Sequence, residues 1–282
     1  MFVRRGLSNI LEHKVTPYVI MAVVLILLLG PIYWTLVTSL KTLPEAIQWP
    51  PTYFPKDFTL EAYQEVLGRS PVPKFLLNSI IYALVTTTIV TTAAVFTTYA
   101  LTRYKYRGSN MVLLSFLFIR LIPPISLLLP FYLILRQLGL INTRASVVIY
   151  TIYLTYPLAV WMLKSFFDQF PQDLIDAALI DGASRLGALF RVVLPVIANG
   201  IAAVAIIAFL WTWIEFLAPF LFLNTENLKP ITVGLYYFVG DETTYWNSLT
   251  AGAILAVIPG IMFFMFAQRY IISGLTAGFG KE

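Results

Sequence analysis

Covalent chemistry has few candidates in this sequence of 282 residues. It holds one histidine, His13, and no cysteine, which excludes imidazole clusters for metal or proton relay, disulfides and thiolate nucleophiles. Charged groups remain, in three settings. Arg120 and Glu215 stand inside long apolar runs. Asp173, Asp176, Asp181, Arg185 and Arg191 crowd the stretch between two such runs. The tail "GLTAGFGKE" has the look of a phosphate-binding loop. Its spacing is wrong, however: Gly274 lies one residue too far from Gly280 and Lys281, and Glu282 occupies the Ser/Thr place. With no helix following to offer its N-terminus, the tail is not expected to bind nucleotide. No catalytic residue, metal site or cofactor is expected in this chain.

The elements that must position these groups follow from composition. Of the residues, 59% are hydrophobic and 12% charged, about half the charged share of an ordinary globular domain. That is too little charge to cover a soluble surface, so lipid must be much of the solvent. A spanning helix needs ~20 mostly apolar residues, and six runs qualify: 17–38, 75–99, 111–135, 146–165, 196–223 and 249–272. The first is long and no small-residue cleavage site follows it, so it reads as an uncleaved anchor. Eleven basic residues fall in the N-terminal segment, the 100–110 loop ("TRYKYRG"), the 164–195 segment and the tail, against seven in the opposite segments. This bias predicts both termini in the cytoplasm. The net charge of +5 suits anionic headgroups rather than nucleic acid. The outer segments, 40–74 and 224–248, carry Trp49, Tyr245 and Trp246, which suit interfacial anchoring or contact with a partner. Within the first of them, Leu60–Leu67 has a helical pattern.

The charged stretch is "DAALIDGASRLGALFRVVLP", residues 176–195. Five charges from 173 to 191 at bilayer depth would cost ~2.5 kcal/mol or more each, more than ~12 kcal/mol together. The segment must lie outside the hydrocarbon, yet it is too apolar for a free loop. Leu174 to Ile180 form one helical run, and Leu186 to Phe190 form another. Gly182 sits between them, where a turn needs positive φ. Ala177 and Ala178 favour helix and let another backbone approach. Pro195 suits the first turn of the next span. The reading is a surface helix–turn–helix whose apolar face seeks a partner, or else an interfacial connector without one.

Inside the spans, Arg120 precedes Pro123, Pro124 and Pro130. An ionisable residue at that depth marks a functional site by default, and prolines are tolerated where a helix lines a cavity or meets another helix. Glu215 is the evident counter-charge. Arg120 and Glu215 therefore read either as a structural pair joining two helices or as part of a translocation pathway. Seven threonines between 86 and 98 fit helix packing, or hydroxyls offered to a sugar.

The 176–195 stretch resembles the signature of inner-membrane subunits of binding-protein-dependent ABC importers, Glu-Ala-Ala-x3-Gly-x9-Ile-x-Leu-Pro. Asp176, Ala177 and Ala178 match its opening, Gly182 its glycine, and Val192, Leu194 and Pro195 its end, with Asp for Glu and Val for Ile. The resemblance runs along most of the chain, towards the carbohydrate group and its maltose-type second permease subunit. It includes "KFLLNS" with Asn78 and Ser79, "LIPPISLLLPFYLILRQLGLINT", and the ending "FAQRYIISGLTAGFGKE". One departure is Trp213-Ile214, where the family often has Trp-Asn. The resemblance implies an all-α polytopic membrane protein of six transmembrane helices, with a cytoplasmic coupling helix–turn–helix between spans 4 and 5. Residues 1–16 would form a cytoplasmic segment, 17–272 the permease domain with coupling segment 166–195, and 273–282 a cytoplasmic tail. It implies a second homologous permease subunit, a dimer of ATP-binding cassette ATPases that binds ATP and Mg, and an external solute-binding protein. The coupling residues would be Asp176, Ala177, Ala178, Asp181, Gly182, Arg185, Leu194 and Pro195, with the leading acid pairing a basic residue of the ATPase. Gly278, Gly280 and Lys281 would reach the ATPase surface. Pathway candidates are Arg120, Pro123, Pro124, Trp213 and Glu215. The expected cargo is a di- or oligosaccharide; glycerol phosphate or a related phosphate ester is the alternative. An ion-coupled secondary transporter is the weaker alternative, since it would call for inverted repeats and more acids inside spans.

Overall fold

The structure, a computed structural model, describes residues 16–104, 107–240 and 242–279, with side chains described as far as Met265. His13 and the N-terminal basic cluster, Lys105, Gly280 and Lys281 lie outside the described residues. In chain order the helices are α1 (Thr16–Ser39), α2 (Leu43–Ile47), α3 (Glu61–Gly68), α4 (Val72–Arg103), α5 (Ser109–Leu121), α6 (Pro124–Gln137) and α7 (Arg144–Gln169). They continue as α8 (Gln172–Ile180), α9 (Arg185–Ala188), a π turn (Leu189–Val193), α10 (Leu194–Val196), α11 (Ala198–Trp213), α12 (Leu217–Phe222), α13 (Ile231–Gly234) and α14 (Trp246–Phe279). The described residues hold no strand, only a single bridge between Val239 and Thr244.

Helices α1, α4, α7 and α14 are each long and apolar enough to cross a membrane. The third expected span, 111–135, is broken: α5 and α6 meet at 100° across Ile122–Pro123. Neither Pro123 nor Pro124 can donate a backbone hydrogen bond, and Pro124 holds Pro123 in an extended conformation, φ −57° and ψ 127°. The fifth, 196–223, comes as α11 and α12, parted by a break over Ile214–Phe216. The expectation that Pro195 opens this span gives way to a longer approach. A helical run from Arg185 to Val196 precedes α11 and is bent from it by 79° at Ile197. Pro195 cannot donate to the preceding turn, and the helix widens just before it, where Leu194 N–H donates to Leu189 O across the π turn.

The chain divides into two compact units. The first comprises 1–70 and 235–255. In it, α3 follows the pattern read at Leu60–Leu67, and polar clasps tie the connectors: the Ser39 and Tyr63 hydroxyls lie 2.8 Å apart, and Ser248 Oγ donates to Glu65 Oε2. Glu45, 8% exposed, accepts from Thr52 Oγ1 (2.7 Å) and Lys56 N (2.9 Å), while the buried Lys41 donates to Thr52 O.

The second unit comprises 71–234 and 256–282, and α4, α7 and α11 are its packed centre. Close approach is possible because α11 presents Gly200 to α7, where any Cβ would lie 2.5 Å from Phe166 Cγ. Three of the α4 threonines bond to α7. Thr86 meets Thr151 at 2.8 Å, Thr97 meets the Tyr156 hydroxyl at 2.6 Å, and Thr98 donates to Val160 O at 3.3 Å. Asn78 and Ser79 clamp the start of α4 to the 227–231 segment. Asn78 Nδ2 donates to Asn227 O (2.9 Å) and Lys229 O (3.0 Å), its Oδ1 accepts from Arg144, and Ser79 Oγ accepts from Ile231 N–H.

Candidate functional site

The 172–195 segment is a helix–turn–helix, and its turn has a local cause. Gly182 lies in the left-handed region at φ +87°. The Ala183 N–H returns to Ala178 O (2.9 Å) and the Gly182 N–H to Leu179 O (3.1 Å), the paired bonds of a Schellman end to α8. A residue with a Cβ has space at 182 but would be strained at that φ. Ser184 then opens α9 as its N-cap, its Oγ accepting from Gly187 N–H at 3.0 Å.

The segment is seated on the spans by one side only. Ile175, Ala188, Leu189 and Val193 are buried in the same apolar cluster as Val95 and Tyr99 of α4 and Leu163 and Phe167 of α7. Phe190 meets Phe96 edge-on at 6.1 Å between ring centres. The other side stays open: Leu174, Leu179, Ile180 and Leu186 are exposed, Ile180 at 85%. Asp176, Ala177, Asp181, Gly182, Arg185 and Pro195 are exposed with them, while Ala178 and Leu194 are half-buried. Asp176 Oδ1 accepts from Gln172 Nε2 at 3.3 Å, one turn back. Arg185 lays its guanidinium over the Tyr104 ring (5.2 Å), and its backbone O accepts from the Tyr99 hydroxyl (3.2 Å).

Arg103 is the residue that sequence reasoning passed over, having served there only as an orientation charge. Its Nη1 donates to Gln172 Oε1 (2.7 Å) and its Nη2 to Phe167 O (3.0 Å) and Phe170 O (3.2 Å). One guanidinium thus joins the end of α4, the end of α7 and the first residue of α8. Gln172 in turn bonds Asp176. The available signal was a cation ending the second span, since the last carbonyls of any helix require donors.

The pathway candidates are not one constellation. Arg120 ends α5; its Nη1 donates to Leu154 O at 3.0 Å and its guanidinium lies 5.6 Å from the Trp211 ring. Pro123 and Pro124 form the break beside it and are exposed. Glu215 does not answer Arg120. Its Oε1 accepts from Ala218 N–H at 2.9 Å, satisfying the start of α12, and its backbone O accepts from Thr232. The structural Arg–Glu pair is therefore absent among the described residues, whose one ion pair is Lys164–Asp168. Trp213 is buried, stacked on Phe209 at 5.8 Å, with Nε1 donating to Ala256 O at 3.3 Å. The indole beside Arg120 belongs to Trp211 instead. Gly278 lies within α14.

Residues 89–276 match the family described as binding-protein-dependent transport system inner membrane component. The sulfoquinovosyl glycerol transport system permease protein SmoH of Agrobacterium fabrum is 34% identical over 97% of this chain and 96% of its own length. The trehalose/maltose transport system permease protein MalG of Thermococcus litoralis is 32% identical over 90% of this chain and 91% of its own. Among solved structures, a bacterial ABC transporter involved in import of the acidic polysaccharide alginate contains a chain with the same fold. Its TM-score is 0.78 at 21% identity, covering 91% of this chain and 95% of that one.

Proposed function

The chain belongs to the family of binding-protein-dependent transport system inner membrane components, and from that premise we propose that it is a permease subunit of an ATP-driven importer carrying a di- or oligosaccharide. The observation that carries this reading is the 172–195 helix–turn–helix, rooted by Ile175, Leu189 and Val193 in the span core and apolar on its open side. Leu174, Leu179, Ile180 and Leu186 give this face the apolar surface that a partner would cover. Both relatives are named for glycoside or disaccharide cargo, which favours a sugar here.

The subunit does no covalent chemistry in this reading. ATP and Mg bind a dimer of cassette ATPases seated on the open face of α8 and α9, with Asp176 and Arg185 at the contact and the tail around Gly278, Gly280 and Lys281 beside it. Both termini and this segment lie on the cytoplasmic side. A second homologous permease completes the pathway, and an external solute-binding protein delivers the sugar. When the ATPases close, α8 moves. The Arg103 fork and the buried Leu189 and Val193 transmit that motion to α4, α7 and α11. A ligand shifts such an equilibrium only through unequal binding to its two states, so the ATPase must grip α8 and α9 differently when open and closed.

The test is co-purification and reconstitution. An ATPase subunit is expected to accompany this chain, and uptake to require ATP, which also separates this reading from ion-coupled transport. Gly182→Asp or Ala178→Asp is expected to leave the permease inserted while ATP hydrolysis no longer drives uptake; unimpaired uptake in both variants refutes the assignment.

A further inference from the structure

Arg120 presents more donors than the described residues accept. A guanidinium carries five N–H groups in a planar fork, and one bond is found, from Nη1 to Leu154 O. The carboxylate that the sequence sets against it, Glu215, is bonded to the start of α12. The end of α5 offers only the partial negative charge of a helix C-terminus. No other acid pairs with Arg120 among the described residues. A full positive charge at a broken span is thus left without a counter-charge among the described residues.

The surroundings are those of a small binding pocket. A cavity of about 190 Å³ opens at the α5–α6 break, lined by Arg120, Ile122, Pro124, Tyr153, Leu154 and Trp211. That is room for one sugar ring rather than a chain of them. Trp211 is 43% exposed, and Tyr153 is half-buried. Aromatic surfaces suit the C–H faces of a pyranose. The unused edge of the guanidinium suits a planar or tetrahedral oxyanion, which it can hold through two parallel bonds. Non-helical backbone at membrane depth is tolerated where it lines a cavity, and Pro123–Pro124 supplies such a segment.

The geometry points to a subsite in which Arg120, flanked by Tyr153 and Trp211, receives the oxyanion of an acidic sugar. This rests on the sugar-importer reading and narrows it, from saccharides in general to those bearing a carboxylate or sulfonate. Arg120 confers the charge selectivity; the aromatic pair holds the ring.

The experiment uses the whole complex, permease pair and ATPases, in nanodiscs without binding protein, titrated calorimetrically with trigalacturonate, maltotriose and glycerol 3-phosphate. Trigalacturonate is expected to bind about tenfold or more tighter than maltotriose, a difference of about 1.4 kcal/mol. Arg120→Gln is expected to abolish that preference, and Arg120→Lys to keep part of it, because a point charge remains without the fork. Equal or undetectable binding of the two trisaccharides overturns the subsite, as does a preference that survives Arg120→Gln. Tighter binding of glycerol 3-phosphate than of trigalacturonate makes the ligand a phosphate ester and overturns the acidic sugar. Separation of the permease pair in Arg120→Gln, with no preference in the wild type, makes Arg120 a subunit-pairing residue and overturns it too. A complex that imports sugar with ATP yet ignores Arg120 loses only this subsite. A complex that lacks an ATPase or imports without ATP loses the importer reading itself.

Discussion

Replacing Arg103 by Met keeps a long unbranched side chain at the end of α4 and removes the fork that ties it to α8. Three hydrogen bonds are lost, to Gln172 Oε1, Phe167 O and Phe170 O. Bonds from a charged donor contribute ~1.5–3 kcal/mol each. The Gln172 bond is exposed and the other two only part-buried, so about 2–4 kcal/mol in all is the reasonable sum. The buried contacts of Ile175 and Leu189 remain, so the segment should stay folded but shift against α4. A change of about 2–4 kcal/mol alters the seated-to-unseated ratio roughly 25- to 700-fold. If the fork transmits the ATPase motion, uptake per ATP hydrolysed should fall by about tenfold or more. The assay is sugar uptake and phosphate release measured on the same proteoliposomes, with membrane insertion checked by limited proteolysis. Arg103→Lys, which keeps the charge but not the fork, should fall between. An uptake-to-hydrolysis ratio for Arg103→Met within about twofold of wild type, well short of the expected fall, would refute the claim that Arg103 transmits force.

Three further outcomes follow from packing and charge. Gly200→Ala forces a Cβ to within 2.5 Å of Phe166 Cγ; overpacking of this kind costs ~1–3 kcal/mol, read as a lower melting temperature in detergent, and an unchanged value contradicts the α7–α11 contact. Asn78→Ala leaves Asn227 O and Lys229 O without their donor and should cost ~1–3 kcal/mol, with new protease sensitivity confined to 224–231; Asn78→Asp should restore little, since a carboxylate cannot donate. Glu45 supplies a pH dependence. Burial alone would raise its pKa, but Lys56 N–H, the Thr52 hydroxyl, Asp57 N–H and the Lys41 ammonium together hold it below the usual glutamate value. Its folded pKa therefore lies below its unfolded one, so its contribution is full above the ordinary glutamate range and fades as pH falls through the lowered value. Protection of 40–60 in hydrogen exchange should decline on acidification in the wild type, and Glu45→Gln should flatten that decline.

The legible features were those with local causes. Leu60–Leu67 announced α3 by its pattern, and Gly182 announced the turn because a Schellman end needs positive φ two residues past the last helical turn. The prolines at 123 and 124 announced a disturbance, but not its size. Whether a double proline bends a span gently or by 100° depends on what α6 packs against, here Tyr150 of α7 and Phe222 of α12 through Phe131 and Tyr132. The pairing of Arg120 with Glu215 was a fair inference from charge alone. It failed because the break after Trp213 left the α12 N–H groups exposed, and the nearer demand took the carboxylate.

The sequence alone determined that this protein lives in lipid and where its apolar runs lie, and its charges set the expectation that 173–191 stays outside the hydrocarbon. It also carried the motif by which that stretch resembles the signature of the family to which the chain belongs. Each of these depends on composition, run length or spacing within a few turns of chain, where neighbouring residues set the energetics. The tertiary structure alone decided that Arg103 locks the 172–195 segment to two spans, that Trp211 rather than Trp213 stands beside Arg120, and that Arg120 meets no acid among the described residues. These turn on which helix faces meet across 34 to 91 (211 − 120) residues of sequence, and packing of whole faces, not the local pattern, chooses those partners.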